Sequence, residues 1–249
     1  MRKTVSLYPN AGWWFLLLIP LVVVGFYPTY FAVFFRPAAS IIHIHFALMA
    51  VWVVILIAQP FLFRYKKLAW HRMIGKFTYV FVPLLLASSF LMIRFSYHRF
   101  LSSPAIEALS IQQAGLKEAA FYMAIAFVYF GLLALFYMLA IINRHKSAVH
   151  ARYMVATSLT LLGPTVDRIV FMVTKDPKVA GVVPVEIIAF VVADGILLYL
   201  LRRDYQAKRP VKTLAVCLSI YVAAQAGYFL FRSTTTWTSF VTFVMQSGS

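Results

Sequence analysis

The chain has 249 residues, 63% of them hydrophobic and 12% charged, with 23 Lys and Arg against 7 Asp and Glu for a formal net charge of +16. A mean hydropathy of +0.84 excludes an ordinary soluble domain, which would expose most of this apolar surface to water and aggregate. The charge does not point to nucleic acid, because the basic residues sit in short segments between apolar runs, where they orient a membrane protein and meet anionic headgroups.

In lipid every backbone polar group must be bonded internally, so a spanning chain is helical or a closed barrel. The apolar runs here are continuous rather than alternating, which selects helices. Runs long enough to span lie near 13–35, 41–63, 75–97, 119–142, 151–174, 183–201 and 211–231. They predict an all-α, polytopic transmembrane bundle of about seven spans, forming a single domain over 1–249. Its first partner is the lipid bilayer, and a homo-oligomer or other membrane-protein partners remain open.

The first run follows Arg2-Lys3, but its apolar core is longer than that of a signal peptide, so a retained helix is expected. Trp13, Trp14, Tyr30, Tyr65 and Trp70 fit an interfacial aromatic belt. Pro20, Pro60, Pro83, Pro164 and Pro184 fall inside spans and are expected to kink them. The longest loop, near 98–118, has room for a short surface helix. Residues 232–249 are too short for a further span and are expected to lie at the interface. The single cysteine, Cys217, rules out an internal disulfide and a Cys-based zinc or iron–sulfur site within the chain.

Lys and Arg divide unevenly between the two sides. Arg2, Lys3, Arg64, Lys66, Lys67, Arg72, Lys76, Arg144, Lys146, Arg152, Arg202, Arg203, Lys208, Arg209 and Lys212 fall on one side. Arg36, Arg94, Arg99, Lys117, Lys175, Lys178 and Arg232 fall on the other, and Arg168 lies within a span. The positive-inside rule places the first side, and the N-terminus, in the cytoplasm and the C-terminus outside.

Polar groups within the spans need individual explanations, because each is expensive in a bilayer. The outer candidates for a ligand pocket are His43 and His45, Arg94, Asp167 and Arg168, and Glu186. His43 and His45 stand about 200° apart on a helix, so only one can face the bundle. Arg168 with Glu186, and Arg94 with Asp167, are compatible in depth as ion pairs. The inner candidates are His71, at the start of the third span, and His150, leading into the fifth. Two imidazoles at equal depth on neighbouring helices suit bis-histidine haem ligation or a transition metal, with Arg72 and Arg152 able to meet propionates. Gly75, one turn after His71, allows close helix contact or leaves room for a flat ligand. His145 reads as a loop residue. Gln59 precedes Pro60 and is expected to bond the carbonyl that the proline frees. Asp194 has no basic partner at its depth and is the candidate for proton handling, and Gln225 reads as interhelical glue. Phosphate-loop, dinucleotide and hydrolase motifs are absent, as are a voltage-sensing helix and an internal repeat.

Two stretches carry a resemblance. One runs from His43-Ile-His45 through Gln59-Pro60 and Arg64 to Trp70-His71-Arg72-Met73-Ile74-Gly75-Lys76. The other is His150-Ala151-Arg152-Tyr153-Met154, leading to Gly163-Pro164 and Arg168. Their order resembles the DUF2306-like bacterial polytopic membrane proteins, a family of largely unknown function. The resemblance implies a bacterial cytoplasmic (inner) membrane location. It also singles out one of His43 and His45, together with His71, His150 and Arg168, as the residues to examine first.

The leading expectation is a redox protein binding haem b or a transition metal through His71 and His150. The alternatives are a small-ligand or proton-coupled transporter or sensor with an outward-facing charged pocket, and a non-catalytic accessory subunit of a membrane complex. The sequence does not decide whether the protein is an enzyme.

Overall fold

A computed structural model describes residues 7–104, 112–176, 178–179 and 181–247. Arg2 and Lys3 lie outside the described residues, as do 105–111 of the expected 98–118 loop, whose described ends up to Leu101 and from Gln112 are helical instead. The helices are α1 (Ala11–Leu16), α2 (Leu18–Phe26), α3 (Ser40–Arg64), α4 (Leu68–Leu101), α5 (Gln112–Ile142), α6 (Ser147–Leu159), α7 (Leu162–Thr174), α8 (Val185–Gln206), α9 (Lys212–Phe231) and α10 (Thr235–Gln246). A two-stranded antiparallel ribbon, β1 (Lys178–Val179) with β2 (Val183–Pro184), joins α7 to α8, and Gly181 supplies its positive-φ turn.

Among the described residues, five helical segments are long and apolar enough to cross a membrane: Ser40–Arg64, Leu68–Leu101, Gln113–Ile142, Ser147–Thr174 and Lys212–Phe231. The apolar stretch Ala11–Phe26 is shorter. Helix α8 has 22 residues but carries Glu186, Asp194, Arg202, Arg203 and Asp204.

Proline decides where the expected spans depart from the observed helices. The first expected span covers 13–35 with a kink at Pro20. Instead it breaks at Leu17 and stops at Phe26, after which only a 3₁₀ turn at Phe31–Val33 follows. Pro20 cannot donate to the Leu16 carbonyl, and Pro28 cannot continue the helix. Within the expected 151–174 span, Pro164 cannot donate to the Thr160 carbonyl, and the chain divides there into α6 and α7. Pro60 and Pro83 stay inside continuous helices, whereas Pro184 is the N-cap of α8 rather than a residue within a span.

Neighbouring segments pack antiparallel, α3 on α4, α4 on α5 and α5 on α6, with α9 closing against α5, α6 and α8. The main core fills this space with Trp52, Leu56, Val82, Leu85, Phe136, Leu197, Leu214 and Tyr221, and Cys217 is buried among them. Large apolar side chains also point outward along the helices, among them Val54, Val80, Leu84, Leu198 and Leu230. Lipid contact is the arrangement that removes this surface from water. Trp13, Trp14, Tyr65 and Trp70 are exposed as a belt requires, but Tyr30 is buried, stacked on Phe46 at 3.8 Å. The segment after α9 forms α10, which buries Val241 and Met245 against Ile93, Tyr97 and Ala119.

Candidate functional site

The two histidines of the basic end are placed by two short turns. Residues 65–67 turn α3 into α4, and residues 143–146 turn α5 into α6. His71 and His150 are each the fourth residue of the helix that follows. Because α4 and α6 both pack on α5, the two helix starts lie at the same end of the bundle. The two histidines line one cavity of about 320 Å³, together with Gln59, Gly75, Tyr137 and Met154. A Cβ built on Gly75 would meet nothing within 4 Å, so this glycine leaves room rather than closing a helix contact.

The polar groups in this cavity are only partly satisfied. The Nδ1 of His150 lies 2.9 Å from the Ala140 carbonyl oxygen. A carbonyl only accepts, so Nδ1 carries a proton and Nε2 is the nitrogen left for a ligand. The Nδ1 of His71 is buried without a hydrogen-bond partner, and so is Oε1 of Gln59. Gln59 Nε2 donates to the His71 carbonyl at 3.3 Å rather than to the carbonyl that Pro60 frees. Tyr137 donates to Thr78 Oγ1 at 2.9 Å, and Phe63 meets the His71 ring edge-on at 5.8 Å. Arg144, in the α5–α6 turn, stands among the lining residues.

Neither arginine expected beside the histidines takes that place. Arg72 is exposed and does not line the cavity. Arg152 is buried, and its guanidinium grips Asp204 Oδ2 through Nε at 3.0 Å and Nη2 at 2.7 Å. Tyr8 donates to the same oxygen at 2.9 Å, and Arg209 reaches Oδ1 at 3.5 Å. Sequence reasoning missed Asp204, which sits in a run of basic residues and reads as loop. The bond from Tyr8 to Asp204, with one from Arg209 to the Leu7 carbonyl, draws in the segment before α1, so that Leu7 and Tyr8 become part of the cavity wall. Burial, then the Asp204 carboxylate, push the Tyr8 phenol up to about 12.

The outer candidates separate instead of forming one pocket. His45 bonds Ser88 of α4 at 3.2 Å, whereas His43 turns to the Tyr30 hydroxyl at 3.1 Å. The expected Arg168–Glu186 and Arg94–Asp167 pairs do not form. The ion pairs among the described residues are those of Asp204 with Arg152 and Arg209. Arg168 donates to the Pro164 carbonyl at 2.6 Å and lies over the Phe26 ring, because α2 packs on α7. Arg94 has no ion-pair partner among the described residues. Glu186 accepts from Tyr228 at 2.9 Å, and Tyr228 accepts from Arg232. Three buried oxygens here have no partner: Asp167 Oδ1, Glu186 Oε2 and the hydroxyl of Tyr129, a residue the sequence reading passed over. Tyr129 reaches over Gly163, one turn before Asp167, where a Cβ would overlap its ring. Asp194, which has no basic partner at its depth, accepts from Gln225 on α9 at 3.0 Å.

No group of three or more His, Cys, Asp or Glu able to hold a metal ion is present among the described residues. No family model, curated protein or solved structure matches this chain.

Proposed function

We propose that this chain is an integral membrane protein of seven spans, with its basic end in the cytoplasm, that binds a flat, mainly apolar redox ligand between His71 and His150. One observation supports this reading above the others. Residues from two distant stretches, Gln59, His71 and Gly75 on one side and His150 and Met154 on the other, line a single cavity. Its size falls at the low end for small-ligand sites, and it combines apolar walls with a few convergent polar groups. Haem b is the first candidate. The donor set offers two imidazoles, one oriented through its second nitrogen by the Ala140 carbonyl, and Arg144 in reach of an acidic substituent. Bound there, the iron would supply one-electron transfer. That no third His, Cys, Asp or Glu joins the two imidazoles among the described residues favours bis-histidine ligation over a closed site for a bare metal ion.

The test is to purify the protein in mild detergent, extract it with organic solvent, and analyse the extract for haem, quinone and metal. A stoichiometric haem or quinone in wild type, absent from His71→Ala and His150→Ala preparations of equal yield, is the expected result. Equal ligand in all three removes the assignment.

A second reading, proton-coupled transport or sensing, is favoured by the three unpartnered oxygens of Tyr129, Asp167 and Glu186. Buried polar atoms without partners often mark ion, water or proton sites. Ligand-dependent uptake into proteoliposomes that Asp167→Asn abolishes would establish it.

A further inference from the structure

The end of the bundle opposite the histidine cavity carries few basic residues, yet two of them converge. The segment after α2 brings Arg36, the start of α3 brings His43, and the last turn of α4 brings Arg99. All three line a second cavity, of about 370 Å³, and none of its lining residues is acidic. Neither arginine has an ion-pair partner among the described residues. Both are exposed, so their charges cost little solvation when empty and stay free to meet a ligand.

The rest of the cavity is shaped rather than incidental. Tyr30 is buried beneath it and holds His43 through its hydroxyl at 3.1 Å. That contact engages Nδ1 of His43 and leaves Nε2 free. Phe34 packs edge-on to the His43 ring at 5.6 Å, and Phe95 contributes a further apolar wall. A site with two unpaired guanidinium groups, an imidazole and aromatic walls fits an anion attached to something apolar. Guanidinium pairs meet phosphate oxygens with matched planar geometry, which an ammonium does not offer. Basic recesses between membrane helices at headgroup depth hold phosphorylated lipid heads by this chemistry.

We propose that Arg36, Arg99 and His43 form a phosphate-binding site at the outer membrane surface, filled by the headgroup phosphate of an anionic phospholipid or by free phosphate. This site is separate from the His71–His150 cavity, and its test does not depend on what that cavity binds.

The experiment compares wild type with Arg36→Gln/Arg99→Gln and the charge-preserving Arg36→Lys/Arg99→Lys. Each protein, in mild detergent, is titrated separately with phosphatidylglycerol and with inorganic phosphate, and bound adducts are read by native mass spectrometry. Saturable phosphatidylglycerol binding in wild type that weakens roughly thirty-fold in the glutamine variant supports a lipid-filled site. Inorganic phosphate binding lost in that variant, with phosphatidylglycerol unchanged, supports the site with free phosphate as its occupant. Partial retention in the lysine variant is expected in either case, because charge remains but the planar fork does not. Wild type that binds neither, or a glutamine variant that binds both as wild type does, overturns the proposal. Both arginines are exposed, so the substitutions are expected to leave the fold intact, and an unchanged thermal midpoint without additives checks this.

Discussion

Two groups of charged side chains inside the bundle respond to the same problem in opposite ways. At the basic end, Asp204 is fully buried and every partner it needs is present, namely Arg152, Tyr8 and Arg209. In the opposite half, Asp167 and Glu186 each leave one oxygen buried and bare, and the arginines near them bond a backbone carbonyl and a tyrosine instead. A complete network holds structure together, because losing one member strands the rest. An incomplete one keeps capacity for something that comes and goes. The contrast repeats within a single turn of α6, where Arg152 is consumed by Asp204 and His150 faces a cavity with a nitrogen to spare.

The largest effect that sharpens this contrast is expected at Asp204. Removing one member of a buried ion pair leaves a charge stranded, at a cost of about 3–5 kcal/mol. Asp204→Asn should therefore lower the thermal midpoint in detergent steeply, and Arg152→Met by a similar amount. The double variant should lose less than the two losses added together, because the pair is coupled. Additive losses would mean the two groups act independently. Next comes Gly163→Ala, whose new methyl would overlap the Tyr129 ring. Overpacking of this kind typically destabilises by about 1–3 kcal/mol. In a Tyr129→Ser background the same methyl should cost little, and an undiminished cost there would show that the ring does not occupy that space.

Tyr8→Phe removes one hydrogen bond to Asp204 and should destabilise by about 1 kcal/mol. It also carries a pH signature. The folded-state value near 12 lies above the ordinary 10.0, so the folded chain holds the phenolic proton more tightly. The stabilisation is complete below the unfolded value and is lost as pH rises between the two, a decline that Tyr8→Phe should lack. The smallest effect is expected for Asp167→Asn, because Oδ1 of this carboxyl has no partner to lose. Its stability should stay within about 0.5 kcal/mol of wild type. A fall as large as that of Asp204→Asn would show that Asp167 has a partner after all.

Much of the fold could be read from the apolar runs, because helix length against bilayer thickness is a strong constraint on sequence. The proline positions were visible too, but Pro20 and Pro164 broke helices where a kink was expected, whereas Pro60 and Pro83 left theirs continuous. Whether a proline bends or divides a helix depends on what satisfies the freed carbonyl, which sequence does not state. The convergence of His71 with His150 followed from equal depth at the starts of two helices. The partners of Arg152 and Arg168 were not legible, because they depend on how α8 and α2 rotate against α6 and α7. Tyr129 was hidden among many aromatics, although Gly163, four residues before Asp167, is the signal that a large side chain fills that gap.

Under the function proposed above, His71 and His150 hold one redox ligand together. The most direct measurement is a dithionite-reduced minus oxidised visible spectrum of purified wild type, recorded beside His71→Ala and His150→Ala. A Soret shift with sharp α and β bands in wild type, lost in both variants, is the predicted result. Bands of wild-type intensity in either variant, or a featureless wild-type spectrum with neither haem nor quinone in its extract, would contradict it.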